Sequence, residues 1–70
     1  MKPRKLPAQR AGLTRAVKSG DPLRIRRECE RVVRVDWPAL GYWPDCWSDW
    51  QRALDDARPV HAPRLEDLAR

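Results

Sequence analysis

The 70 residues predict a small all-α fold: a three-helix bundle preceded by an extended basic arm, with room for a short fourth helix at the end. Three observations predict it. Apolar residues recur at intervals of three and four and nowhere alternate as a strand requires. The run Ser19-Gly20-Asp21-Pro22 reads as a helix stop followed at once by a helix start. Trp43, Trp47, Trp50, Leu54 and Ala57 fall at intervals of four, three, four and three, which puts them on one helix face. A chain this short buries only about 60% of its unfolded surface, so its core must come from a few large side chains. Four Trp and one Tyr, with no Phe, supply them, each ring burying roughly 150–250 Å².

The elements follow in order. Residues 1–7 (MKPRKLP) hold three basic residues and two prolines and read as a flexible basic arm. Residues 8–58 read as the helical domain and 59–70 as a tail or short helix. The first helix begins at Ala8 or Gly12 and ends at Lys18, with Leu13, Ala16 and Val17 inward. Gly12 weakens its start by about 1 kcal/mol relative to Ala. Gly20 suits a left-handed C-terminal residue, Asp21 a cap and Pro22 a first helical position, so helices one and two form an αα-hairpin. The second helix runs from Pro22 to Asp36 on a stripe of Ile25, Cys29, Val32 and Val33. It is expected to end by Trp37, because Pro38 disfavours helical backbone in the residue before it. Pro38 to Trp43, with Gly41, reads as a packed loop. The third helix starts at Pro44, with Asp45 and Asp49 near its positive end, and closes at Arg58-Pro59. A last turn over Pro63 to Ala69 returns Leu65 and Leu68 to a core of Ile25, Cys29, Val32, Trp47, Trp50 and Leu54.

Charge and composition exclude several classes. Net charge is +5, but residues 1–34 carry eleven basic and three acidic groups, whereas residues 35–70 carry four basic and seven acidic ones. Such a chain can attract a polyanion at one end, associate head to tail, or neutralise itself on folding. Charged residues make up 36% of it, and no apolar run approaches the roughly 20 residues that span a bilayer. No apolar segment follows the basic start, so a cytoplasmic protein without membrane contact is expected. Cys29, Cys46 and the lone His61 lack the close spacing of a metal site, so no metal is expected. Free thiols are expected for both cysteines, with a disulfide as the alternative. Catalysis finds no support, and no cofactor is expected. Ser48 has no evident base, and Asp55 and Asp56 are adjacent and point about 100° apart on a helix. No glycine-rich phosphate loop occurs. Cys46 lies where a helix dipole lowers a thiol pKa, yet it has no His in register.

Two surfaces are candidates for binding. Arg24, Arg27, Arg31 and Arg34 are spaced three, four and three apart, within one arc of about 80° beside the apolar stripe. Four guanidinium groups in a row suit a phosphate backbone or an acidic protein surface, since Arg binds either with two parallel hydrogen bonds. Lys2, Arg4 and Lys5 on the arm extend this footprint. Against it stand three i, i+4 pairs, Arg24–Glu28, Arg26–Glu30 and Glu30–Arg34, which merely support an exposed helix at roughly 0.2–0.5 kcal/mol each. The acidic second half can also fold against the row. The second surface is aromatic. Trp37, Tyr42 and Trp43 flank the Pro/Gly loop, and a domain of this size struggles to bury five large aromatics. A partner-binding cluster is expected there, with stacking on unpaired bases as the competing use.

The run Trp43-Pro44-Asp45-Cys46-Trp47-Ser48-Asp49-Trp50-Gln51-Arg52-Ala53-Leu54-Asp55-Asp56-Ala57 resembles a pattern in small helical proteins of actinobacterial phages. Its most specific part is W-P-D-x-W-x-x-W, and the Gly20-Asp21-Pro22 junction fits the same likeness. The resemblance implies a phage source, in keeping with the GC-rich codon usage suggested by twelve Arg against three Lys. It implies a virion accessory protein, a regulator or a modifier of a host protein, and offers no catalytic residues. The leading expectation is therefore a non-enzymatic protein–protein interaction module with a host or virion partner. A small DNA- or RNA-binding protein comes second, because the Trp37–Trp43 connection is longer than a helix-turn-helix allows.

Overall fold

The computed structural model describes residues 2–57 and 63–69, and every regular element in them is helical. Helix α1 (Leu6–Ser19) starts slightly earlier than the sequence predicts, because Lys5 is extended and Pro7 sits in the first turn. It stops as expected. Gly20 adopts φ 69° and returns its N–H to the Val17 carbonyl. Asp21 then accepts a hydrogen bond from the Leu23 N–H at 3.0 Å, and Pro22 opens α2 (Pro22–Arg31). The hairpin buries Leu13 and Ala16 of α1 against Ile25 and Cys29 of α2.

The second helix does not end at Trp37. It passes through a π-helical segment, Val32–Asp36, into α3 (Trp37–Leu40) and stops only at Gly41, φ 82°. The reason lies in Pro38. A proline inside an α-helix lacks a donor, and its ring collides with the carbonyl four residues back. Here the Trp37 N–H reaches back five residues to the Val32 carbonyl, and the wider turn relieves that collision. The same turn changes which residues face inward. In continuous α-helix Trp37 would lie about 120° around from Ile25. The slower rotation of the π segment draws it towards the core face, so Val32, Val33, Asp36 and Trp37 are all buried.

Residues 41–46 connect to α4 (Trp47–Ala57), so the helix begins three residues later than the sequence predicts. Pro44 is buried in a lead-in turn whose carbonyl accepts from the Trp47 N–H. Trp50 and Leu54 enter the core as expected, whereas Trp47 is only half-buried and packs on its edge. Trp37 takes the central place instead, at 0% exposure. A final turn, α5 (Leu65–Leu68), inserts Leu65 and Leu68. Buried Gln51 of α4 holds α5 by accepting the Leu65 N–H at 2.8 Å. The expected helix end at Arg58-Pro59 lies outside the described residues.

The arm is the largest departure in the first third of the chain. It was expected to be flexible, but Arg4 is anchored. Its backbone N–H donates to Asp36 Oδ1 at 2.8 Å, and its Nε and Nη2 donate to Asp36 Oδ2 at 3.2 and 2.9 Å. Its Nη1 meets Glu28 Oε1 at 2.6 Å, and its carbonyl accepts from buried Gln9 Nε2 at 2.7 Å. Gln9 Oε1 in turn accepts the Trp37 indole N–H at 3.0 Å. One connected polar network thus joins arm, α1, α2 and α3.

That network explains Gly12. A Cβ there would meet Glu28 Oε1 and lie 2.7 Å from Arg4 Nη1, closer than real Cβ contacts allow, with Glu28 Cδ tight at 3.0 Å. Both side chains are held by their ion pair. Gly12→Ala therefore gains about 1 kcal/mol of helix propensity but loses about 1–3 kcal/mol to overpacking. The expected net result in urea denaturation is a loss of about 1 kcal/mol. In a Glu28→Ala background the nearest obstacle is gone and the Arg4 side chain keeps only its Asp36 bonds, so the same change should cost less. Equal effects in the two backgrounds would show that the ion pair does not press on Gly12.

Candidate functional site

Helix α2 has two acidic residues, and both are taken. Glu28 is held by Arg4, and Glu30 accepts from Arg26 Nε at 3.1 Å. Of the three i, i+4 pairs the sequence offers, only Arg26–Glu30 forms. Among the described residues no carboxylate pairs with Arg24, Arg27, Arg31 or Arg34. The α5 turn of the acidic second half packs against α2 and the π segment, but among the described residues its carboxylates form no ion pair with the row. The row was expected beside the apolar stripe, but it turns away from the core. Ile25, Cys29 and Val32 are buried, while Arg24, Arg27 and Arg34 are exposed and Arg31 is half-buried. The row is about 15 Å long at the helical rise. A shallow depression of about 290 Å³ runs along it between Arg27, Arg31, Arg34 and Val35, with Glu30 on its edge. Arg34 makes one long bond of 3.4 Å to the Leu68 carbonyl, and Arg31 Nε is shielded from water without an acceptor.

The arm contributes less than its composition suggests. Lys2 and Lys5 are exposed. Arg4 is not available to a polyanion, because its side chain is 16% exposed and already ion-paired with both Glu28 and Asp36. Burial alone would lower its pKa. The hydrogen bonds and charges of Asp36 and Glu28 outweigh that, so the pKa is raised.

The aromatic candidates separate. Trp37 is wholly buried, its ring centroid 4.7 Å from Trp43 and 5.7 Å from Trp50. Trp43 is half-buried and meets Trp47 edge-on at 5.2 Å. Only Tyr42 projects, at 68% exposure. The expected docking cluster is therefore a packed ladder. The physical reason is that half-buried Trp43 packs on Trp37 and is itself flanked by Trp47, so a small domain internalises one indole completely by leaving two on its flank.

One surface escaped the sequence reading. Helices α1 and α4 stand apart, and the space between them is an apolar groove floored by Leu13, Trp50 and Leu54. Its rim includes Val17, Cys46 and Ala53. The available signal was the breadth of apolar character on α1, where Leu6 and Val17 add to Leu13 and Ala16 more than one neighbouring helix can cover.

Both cysteines are free. Cys29 is at 0% exposure, and burial pushes its thiol up to about 12, aided by the negative charges of Glu28 and Glu30. It is chemically silent at neutral pH. Cys46 is half-buried at the groove. Among the described residues no cluster of His, Cys, Asp and Glu could hold a metal ion, and no helix is long and apolar enough to cross a membrane. His61 lies outside the described residues. Comparison of the chain with protein-family models, with curated proteins and with solved structures finds no match.

Proposed function

We propose that this is a non-enzymatic protein–protein interaction module that grips an acidic surface of its partner with Arg24, Arg27, Arg31 and Arg34. The observation that carries this reading is the diversion of Glu28 to Arg4 and of Glu30 to Arg26, which leaves the four guanidinium groups without a carboxylate partner among the described residues. Arginine in this state presents planar donor forks to carboxylates at little reorganisation cost. The company of the row favours a protein over a nucleic acid. Leu23, 55% exposed, and half-buried Val35 lie on the same helix as the row, and Glu30 sits within it. Mixed apolar, Arg and acidic character suits a protein interface, whereas a phosphate backbone would be repelled by Glu30. The likeness of the Trp43–Ala57 run to small actinobacterial phage proteins fits a virion or host protein as partner.

A DNA or RNA target is the second reading, favoured by Lys2 and Lys5, which are exposed near the start of the same basic half. Titration of the labelled protein with an oligoglutamate peptide and with duplex and single-stranded DNA separates the two. Binding of the peptide, weakened at least about tenfold in Arg24→Glu/Arg27→Glu, is expected. Both residues are exposed, so that variant should keep its stability within about 0.5 kcal/mol. Tighter binding to DNA, falling steeply between about 50 and 200 mM salt, would instead establish the nucleic-acid reading.

A further inference from the structure

The groove between α1 and α4 shares no lining residue with the Arg row, and it is unfilled by any described part of the chain. It consists of two adjoining hollows of about 340 and 500 Å³ that have Arg10, Cys46 and Trp50 in common. Along α1 it extends from Leu6 to Val17, about 17 Å or three helical turns. It is open to solvent along a line and not a closed chamber, which suits the face of a helix better than a small molecule. Its charges are arranged on opposite lips. Arg10 and Lys18, two turns apart, stand on the α1 side, and Asp49 stands on the α4 side.

We infer that this groove seats one amphipathic helix of a partner protein, apolar along its inward face and acidic along the edge that meets α1. The apolar face fills the space over Leu13, Trp50 and Leu54, in the way helix-in-groove complexes use anchors at i, i+3 or i+4, and i+7. Carboxylates spaced about two turns apart on that helix meet Arg10 and Lys18. A second copy of this chain fits poorly, since the apolar residues Trp50 and Leu54 of its acidic α4 are already buried in its own core. Its α1 has no acidic residue in the first turn and carries Arg10, Arg15 and Lys18, so it would set like charges against one another.

Cys46 provides the readout, since Cys29 is silent. Two synthetic helical peptides of about four turns, sharing one leucine stripe and differing only in Glu or Lys along the flank, are titrated against the full chain. Protection of Cys46 from alkylation reports groove occupancy. The glutamate peptide should protect Cys46 at least about tenfold more tightly than the lysine peptide. Arg10→Glu/Lys18→Glu should reverse that preference. Ala53→Arg should abolish protection, and so should Thr14→Arg. Both positions are exposed on helices, where Arg is a good helix former, and far-UV circular dichroism verifies their fold. The inference is overturned if neither peptide protects Cys46 up to about 1 mM, or if both protect equally. It is also overturned if sedimentation shows a dimer that Ala53→Arg dissolves, because the occupant is then a second copy. Cys46 reports on the groove alone, so these outcomes are separate from the fate of the Arg row.

Discussion

Asp36→Ala is expected to destabilise the protein by about 3–5 kcal/mol, the usual result of removing one partner from a buried ion pair. For a domain of this length total stability is about 4–10 kcal/mol, so the variant should lose roughly half of its stability or more. The carboxylate is at 0% exposure and accepts three hydrogen bonds from Arg4 alone, one of them from its backbone. Its loss leaves the guanidinium paired with Glu28 alone and frees the arm from the π segment. Urea denaturation followed by far-UV circular dichroism measures the effect. A second variant, Arg4→Met/Asp36→Leu, distinguishes lost charge pairing from lost packing. Apolar replacement of a whole buried pair is often neutral or stabilising, so the double change should recover the part of the loss that is not due to leaving Glu28 without Arg4. If Asp36→Ala costs less than about 1 kcal/mol, the pair behaves as an exposed one, and Arg4 returns to the basic arm as a binding residue.

The network also shapes the proposed interface. Glu28 stands four residues after Arg24, the spacing at which the two would pair on an isolated helix. Arg4 removes Glu28 from that pairing, and Arg26 does the same to Glu30. The free state of the Arg row is thus a consequence of how the arm docks. Releasing the arm would return Glu28 to α2 and partly neutralise the row that the partner is proposed to grip.

What the sequence made legible was local chemistry. The Gly20-Asp21-Pro22 junction, the Trp50–Leu54 face and the return of Leu65 and Leu68 all stand as read, because each depends on residues within one or two turns. The Arg row was legible by spacing alone. The contacts that decide its state were not, since Arg4 and Asp36 are 32 residues apart. Pro38 misled for a physical reason. Its rule describes an α-helix, and the chain escaped the rule by widening to a π turn, which then carried Trp37 inward. Buried Gln9 was invisible because its value depends on two partners from different elements. The α1–α4 groove is a property of how two helices are placed, and no single helix encodes it.

Trp37→Ala is expected to be as damaging as loss of Asp36. Deleting a fully buried tryptophan costs about 3–5 kcal/mol through lost contacts and the cavity left behind. Here the loss compounds, because Gln9 Oε1 keeps its burial and loses its only indole donor, an orphan worth about 1–3 kcal/mol. Trp43 and Trp50 would also lose the ring between them. Trp37→Phe separates these contributions. It keeps most of the packing and removes only the N–H, so it should fall between wild type and Trp37→Ala, and Gln9→Leu should add on top of it only the loss of the Gln9 bond to the Arg4 carbonyl. Circular dichroism is the appropriate probe, since the substitution itself alters tryptophan fluorescence. Tyr42→Ala provides the contrast. At 68% exposure it should change stability by less than about 0.5 kcal/mol. If Trp37→Ala proved equally silent, the indole would have to lie at the surface, and an aromatic docking cluster at residues 37–43 would again be the best account of this loop.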